Sequence, residues 1–180
     1  MTALANQRVT PEVLALAQAL APVVHQSRLF GVTSEQQALT IMLVGYELGF
    51  NLTGSFSYVH VIKGKPSVSP EGVLARVLAS GQLAEWKHET DRATFYRVWM
   101  KRKNGLEHSE MFTLQDAIKA DLVKPESGWV HWTANMLKWR TIGFCLDILF
   151  PDIVTGLLRW DELDVAVTDA GALVPTEGDV

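Results

Sequence analysis

Apolar positions recur along the first part of the chain with helical spacing and then switch to alternation. Between Val9 and Gly31, Leu14, Ala17, Leu20 and Ala21 mark one helix face. Thr10, Pro11 and Glu12 before them make a helix start: a hydroxyl cap, a proline where no N–H is needed, and a carboxylate at the positive end of the helix dipole. Pro22 predicts a kink or break there. A second helix is predicted from about Thr33 to Leu48. Ile41, Leu43, Val44 and Leu48 are its core candidates, and Gly49 or Asn51 sits at its C-terminal cap. The period then becomes two. SFSYVHVIKGKPSVS reads as a hairpin, Phe56–Ile62 against Ser67–Ser69, with Lys63-Gly64-Lys65 at or near its tip.

Ser69 or Pro70 opens the next helix, which Gly81 closes. Three strand-like runs follow, LAEWKHE, ATFYRVWMKRK and LEHSEMFT, with a hairpin signal at Asn104-Gly105 between the last two. Thr113 caps a short helix, LQDAIKADL. The loop VKPESG leads to a long apolar helix, about Trp132–Leu149, which Phe150-Pro151 ends. RWDELDVAV predicts a last helix, and the acidic tail from Thr168 is expected to be disordered. The predicted fold class is α+β with a mainly antiparallel sheet.

A length of 180 residues fits one domain, and 48% hydrophobic with 20% charged residues is an ordinary globular balance. The longest apolar runs are too short to span a bilayer, and MTALANQR lacks a secretory core, so the expected location is cytoplasmic. The single cysteine, Cys145, leaves no internal disulfide or cysteine-based zinc cluster and is expected to be a buried thiol. Net charge is −4, which argues against a polyanion partner until its distribution is considered. From His60 to Arg140 there are thirteen Lys and Arg against nine Asp and Glu, whereas the rest of the chain holds three against eleven. A basic middle with acidic flanks is a footprint of anion binding, although a solvated charged surface has the same composition.

Alternation along residues 93–101 puts Phe95, Arg97, Trp99 and Lys101 on one strand face and Thr94, Tyr96, Val98 and Met100 on the other. Cations interleaved with aromatic rings suit a single nucleic-acid strand. Equally, Phe95 and Trp99 can face the core while Arg97 serves an ion pair. Lys101-Arg102-Lys103 carries the positive charge into the Asn104-Gly105 turn. Lys63-Gly64-Lys65 is not a phosphate-binding P-loop, because Pro66 stands where a serine or threonine is needed and the earlier glycine is missing. Of six tryptophans, Trp129, Trp132 and Trp139 surround the entrance to the long helix, where Trp129 is either a packing anchor or a base contact. Lys138 and Arg140 fall on different faces of that helix, whereas Arg140, Gly143 and Asp147 form a stripe. Enzyme constellations are poor. His25, His60, His88, His108 and His131 lack local metal-ligand spacing, though His60, His88 and His108 lie in different predicted strands and can converge. Asp161, Glu162 and Asp164 read as a polar helix face.

Taken together, GYELGFNLTGSFSYVHVIKGKPSVSPEGVLARVLASG, FYRVWMKRKNG, MFTLQDAIKADLVKP and GWVHWTANMLKWRTIGFCLDILFPDIVTGLLRWDEL resemble, in order and spacing, the RecT/Bet (Redβ-like) superfamily of phage single-strand annealing proteins. The resemblance covers roughly Ser34 to Leu163. It implies a hairpin and a meander sheet packed on a long helix. The implied division is an N-terminal helical segment at 1–32, an annealing core at 33–165 and an acidic tail at 166–180. The implied activity is ATP-independent annealing of complementary strands in phage-type recombination, with no cofactor and no covalent catalysis. The implied assembly is a homo-oligomer, ring or helical filament, holding single-stranded DNA and the annealed duplex intermediate in a basic groove. A phage exonuclease or host single-strand binding protein is a further implied partner. By position, Lys63, Lys65, Arg97, Lys101, Lys138 and Arg140 become backbone contacts, joined by Arg102 and Lys103, with Trp99 and Trp129 as candidate base contacts. Asp147 departs from the pattern, since several members carry a basic residue there. The chain also ends soon after the core, without the extension that recruits partners in some members. The rival expectations are an oligomeric scaffold with the same fold but no annealing, and a metal-dependent nucleic-acid enzyme.

Overall fold

The computed structural model describes residues 7–62, 64–154 and 159. Helix α1 (Pro11–Gln26) begins at Thr10, whose hydroxyl accepts a hydrogen bond from the Val13 amide at 3.4 Å. It runs on through Pro22, where a kink or break was expected. Ala17 and Ala21 are its buried residues and Leu14 is exposed, so the small positions of the predicted stripe, not its first leucine, meet α2 (Glu35–Glu47). Ser34 caps α2, accepting from the Gln37 amide at 3.0 Å.

Strands β1 (Val59–Ile62) and β2 (Lys65–Val68) pair antiparallel, with Val59 opposite Val68 and Ile62 opposite Lys65. The connection is therefore residues 63 and 64, with Gly64 at φ +75°, a conformation that costs glycine little. Lys63 lies outside the described residues. Phe56, expected to begin the first strand, sits instead in a 3-10 turn, Gly54–Ser57. That turn is held by the Ser55 hydroxyl donating to the Asn51 carbonyl at 2.8 Å, and the Phe56 ring stacks on Phe30.

Helix α3 (Pro70–Ser80) starts at Ser69 and stops at Gly81, as the sequence predicts. The second sheet has the order β3 (Leu83–Thr90), β4 (Phe95–Arg102), β5 (Glu107–Thr113), all antiparallel. Asn104 and Gly105 form the β4–β5 turn, and Thr113 with Asp116 makes a reciprocal cap on α4 (Leu114–Lys119). Short α5 (Gly128–His131) precedes the long α6 (Thr133–Leu149), and α7 (Pro151–Val154) ends the continuous part.

One part of the core lies between α6 and the three-stranded sheet, and it continues through α3, the hairpin, α2 and α1. Tyr96, Val98 and Met100 of β4 are buried against Leu137, Ile142, Cys145 and Leu146 of α6. Thr141 on α6 donates to the Leu137 carbonyl at 2.7 Å and reaches the Tyr96 carbonyl at 3.3 Å. Cys145 is fully buried, and burial, aided by Glu110, pushes its thiol up to about 12, so it is an inert packing group. The result is an α+β fold with two small antiparallel sheets. No helix among the described residues is long and apolar enough to cross a membrane.

Three arginines tie down the end of the fold. Arg76 on α3 donates to the carbonyls of Leu48 and Ile153. Arg102 grips both oxygens of Asp152 at 2.6 and 2.7 Å and the Leu149 carbonyl at 3.1 Å. Arg159 is fully buried, pairs with Asp147, and crosses α6 at Gly143, where an added Cβ would lie 2.5 Å from its guanidinium carbon. Glycine at 143 and aspartate at 147 are thus the two features of α6 that accommodate this arginine. Two members of the stripe seen in the sequence, Gly143 and Asp147, thus meet Arg159, and the Asp147 departure has a structural partner.

Candidate nucleic-acid interface

The two faces of the three-stranded sheet carry different chemistry. On the outer face, pairing register aligns Glu85, Lys101 and Glu107 in one row, Lys87, Trp99 and Ser109 in the next, and Glu89, Arg97 and Met111 in the third. Phe95 and Trp99 do not face the core, and the expected outward row of cations and rings is present. It is nevertheless neutralised. Arg97 bonds Glu89 at 3.0 Å, Lys101 lies 3.9 Å from Glu107, and Lys87 stands 5.2 Å from the centre of the Trp99 ring. Two of its three cations pair with carboxylates and the third lies over a ring, so this face is patterned rather than basic.

The inner face is only partly covered. Helix α6 packs on β4 and β5, leaving the inward side of the edge strand β3 open beside the start of the helix. A cleft of about 560 Å³ results, lined by Trp86, His88, Thr90 and Arg92, by Tyr96, and by Ala134, Asn135 and Lys138 of α6. Its volume is that of an ordinary small-ligand site, roughly 300–1,000 Å³. Arg92 and Lys138 are the basic side chains among its described lining residues, with the His88 ring beside them.

Local structure explains how Arg92 is presented. It sits at the β3–β4 turn with φ 65°, which a non-glycine residue adopts only when its surroundings require it. Asp91 supplies that requirement. Its carboxylate accepts from the amides of Ala93, Thr94 and Phe95 at 2.9, 2.8 and 3.2 Å and from the Thr94 hydroxyl. Those bonds hold the Asp91 carboxyl well below the usual carboxylate range, the Thr94 hydroxyl contributing most. The Thr90 hydroxyl closes the turn, accepting from the Arg92 amide at 2.9 Å and donating to the Phe95 carbonyl at 2.7 Å. The acid next to Arg92 is therefore bonded to its own turn, and the guanidinium is carried outward on a fixed loop.

The residues predicted from sequence divide between these regions. Lys138 lines the cleft, its ammonium 4.3 Å from the centre of the Trp139 ring. Arg97, Trp99 and Lys101 lie on the opposite side of the sheet, so they and Lys138 do not share one groove. The Arg102 guanidinium is engaged by Asp152, which raises the arginine and lowers the carboxyl, so it ties α7 to β4. Trp129, read as either a packing anchor or a base contact, is only 3% exposed and packs on Phe112 at 5.8 Å, the geometry of an anchor. Lys103 is exposed at the β4–β5 turn, with its ammonium close to Gly81 at the C-terminal end of α3, and Lys65 is exposed at the start of β2. Arg140 lies 5.3 Å from the Phe144 ring centre. Of the three strand histidines, His60 belongs to the separate hairpin, and its burial lowers its pKa from the ordinary value. His88 and His108 flank β4 on either side. No group of three or more His, Cys, Asp or Glu residues suited to a metal ion occurs among the described residues.

Trp86 and Arg92 were missed as site residues by the sequence reading, which considered His88 only as a member of a converging histidine set. The alternation Trp86, His88, Thr90 places them on one face of a strand, but only the position of α6 reveals that this face is open. Comparisons with protein-family models, with curated proteins and with solved structures return no match for this chain.

Proposed function

We propose that the protein binds single-stranded DNA and anneals complementary strands without ATP, acting as an oligomer in phage-type recombination. The observation that carries this reading is the cleft between β3 and α6, where Arg92 and Lys138 stand beside the exposed ring of Trp86. Phosphates neutralised by such groups give sequence-independent, salt-sensitive binding. Annealing then needs no bond made or broken. The protein holds strands open and concentrated, Watson–Crick pairing supplies recognition, and repetition of the cleft along an oligomer extends the track. Lys65 and Lys103 are exposed cations available to lengthen it, and an exonuclease or single-strand binding protein remains the proposed partner class.

The neutralised outer face favours a second reading, an oligomeric scaffold without annealing activity. The deciding measurement is the rate at which two complementary dye-labelled oligonucleotides pair in the presence of the purified protein, without ATP, across a salt series. Acceleration that fades with salt and is lost in the Arg92→Glu/Lys138→Glu double variant is the expected result. Absence of acceleration at every salt concentration removes the annealing reading and leaves the scaffold.

A further inference from the structure

We propose that the Trp86 side of the β3–α6 cleft is a slot for one unstacked nucleobase, whose flanking phosphates meet Arg92 and Lys138. This deepens the reading above, resting on single-strand binding but not on annealing.

The slot is built from aromatic rings arranged in a series from solvent into the core. Trp86 is 42% exposed, a large ring on an edge strand beside a cavity rather than under a helix. The His88 ring centre lies 6.0 Å from that of Trp86, and His88 stacks on Tyr96 at 5.6 Å with only 5° between the planes. Tyr96 is buried and anchors the series to the sheet. Stacking on Tyr96 holds His88 in place, and His88 in turn supports one side of Trp86. The other side of the cleft is the first turns of α6, where the small side chain of Ala134 preserves its width. Flat aromatic surface beside cations is the arrangement that takes a base and its phosphates together, because every base has a π-face and every linkage a negative charge.

The slot also distinguishes strand states. A base in a duplex is stacked on both sides and paired, so it enters only after losing those contacts, whereas a single strand offers its bases at little cost. One base per subunit would then be held out of pairing until its complement arrives, and formation of the duplex would withdraw it from Trp86. Release of product follows from the same contact that retained the substrate.

The test compares two end-labelled strands of equal length, one of thymidine residues and one of abasic sugar-phosphate, binding the full chain by fluorescence anisotropy. Trp86→Ala is expected to weaken thymidine-strand binding about tenfold and to leave the abasic strand unaffected, while Trp86→Phe retains most of the affinity. Equal loss on both strands, or loss on neither, overturns the slot. Thymidine monophosphate should compete poorly. Competition at the strand's own concentration per base would make this a free-nucleotide site and also overturn the proposal. If the unaltered protein binds the thymidine strand but fails to accelerate annealing, the slot stands and only the annealing reading falls. If it binds neither strand, both fall.

Discussion

The outer face of the β3–β4–β5 sheet and the β3–α6 cleft both bring cations together with aromatic rings, but their neighbouring carboxylates are placed differently. On the outer face Arg97 and Lys101 have carboxylates as cross-strand neighbours. Beside the cleft, Asp91, the acid next to Arg92, is turned onto its own loop by four hydrogen bonds. A count of charges along the chain does not separate the two. What separates them is where each carboxylate finds its donors, and whether a helix covers the strand.

The largest expected effect tests the covered part of the inner face. Met100 is fully buried under α6, so Met100→Ala should cost about 2–5 kcal/mol in urea unfolding. A cost below 1 kcal/mol would mean that α6 does not seal this face as described. Next comes the contrast itself. Arg92→Glu with Lys138→Glu should reduce the slope of log affinity for a single strand against log salt by at least about 0.7 per lost phosphate contact. Arg97→Glu with Lys101→Glu should leave the slope nearly unchanged. The opposite ranking would move the interface to the outer face.

These expectations also show what the sequence could and could not supply. Helix starts at Thr10, Ser69 and Thr113 and the Asn104-Gly105 turn were legible because each depends on a few neighbouring residues. Phe56 was misplaced because its 3-10 turn depends on the Ser55–Asn51 bond and on packing against Phe30. The cleft was illegible for a different reason. Alternation puts Trp86 and His88 on one face, but whether that face is core or open depends on α6, some fifty residues later. Asp147 looked anomalous in isolation, and its meaning lies in Arg159. Lys63, half of the lysine turn, the predicted final helix, the acidic residues Asp161, Glu162 and Asp164, and the acidic tail fall outside the described residues.

A smaller effect should sharpen the comparison from the other side. Replacing Glu85, Glu89 and Glu107 by glutamine leaves Lys87, Arg97 and Lys101 without carboxylate neighbours on the outer face. Affinity for single strands at low salt should rise by roughly two- to fivefold, in keeping with the modest strength of exposed pairs. An unchanged affinity would show that arrangement, and not neutralisation alone, excludes DNA there. The smallest effect concerns the Arg102 clasp. Arg102 holds the Asp152 carboxyl below its ordinary pKa, so the folded state binds fewer protons there than the unfolded chain. The stabilisation is fully present above about pH 4 and is lost as pH falls through the lowered value. Asp152→Asn should flatten the acid limb of the thermal stability profile slightly; an identical profile would remove the clasp from the account.

The open edge of β3 bears on how the molecule behaves at high concentration. A strand of eight residues whose outer side is unpaired among the described residues offers its amides and carbonyls to any passing strand, including another copy of itself. Glu85, Lys87 and Glu89, alternating along that edge, make such unplanned pairing unfavourable. The same carboxylates that pair with Arg97 and Lys101 on the outer face therefore guard against precipitation, and a variant that loses them would be harder to keep in solution.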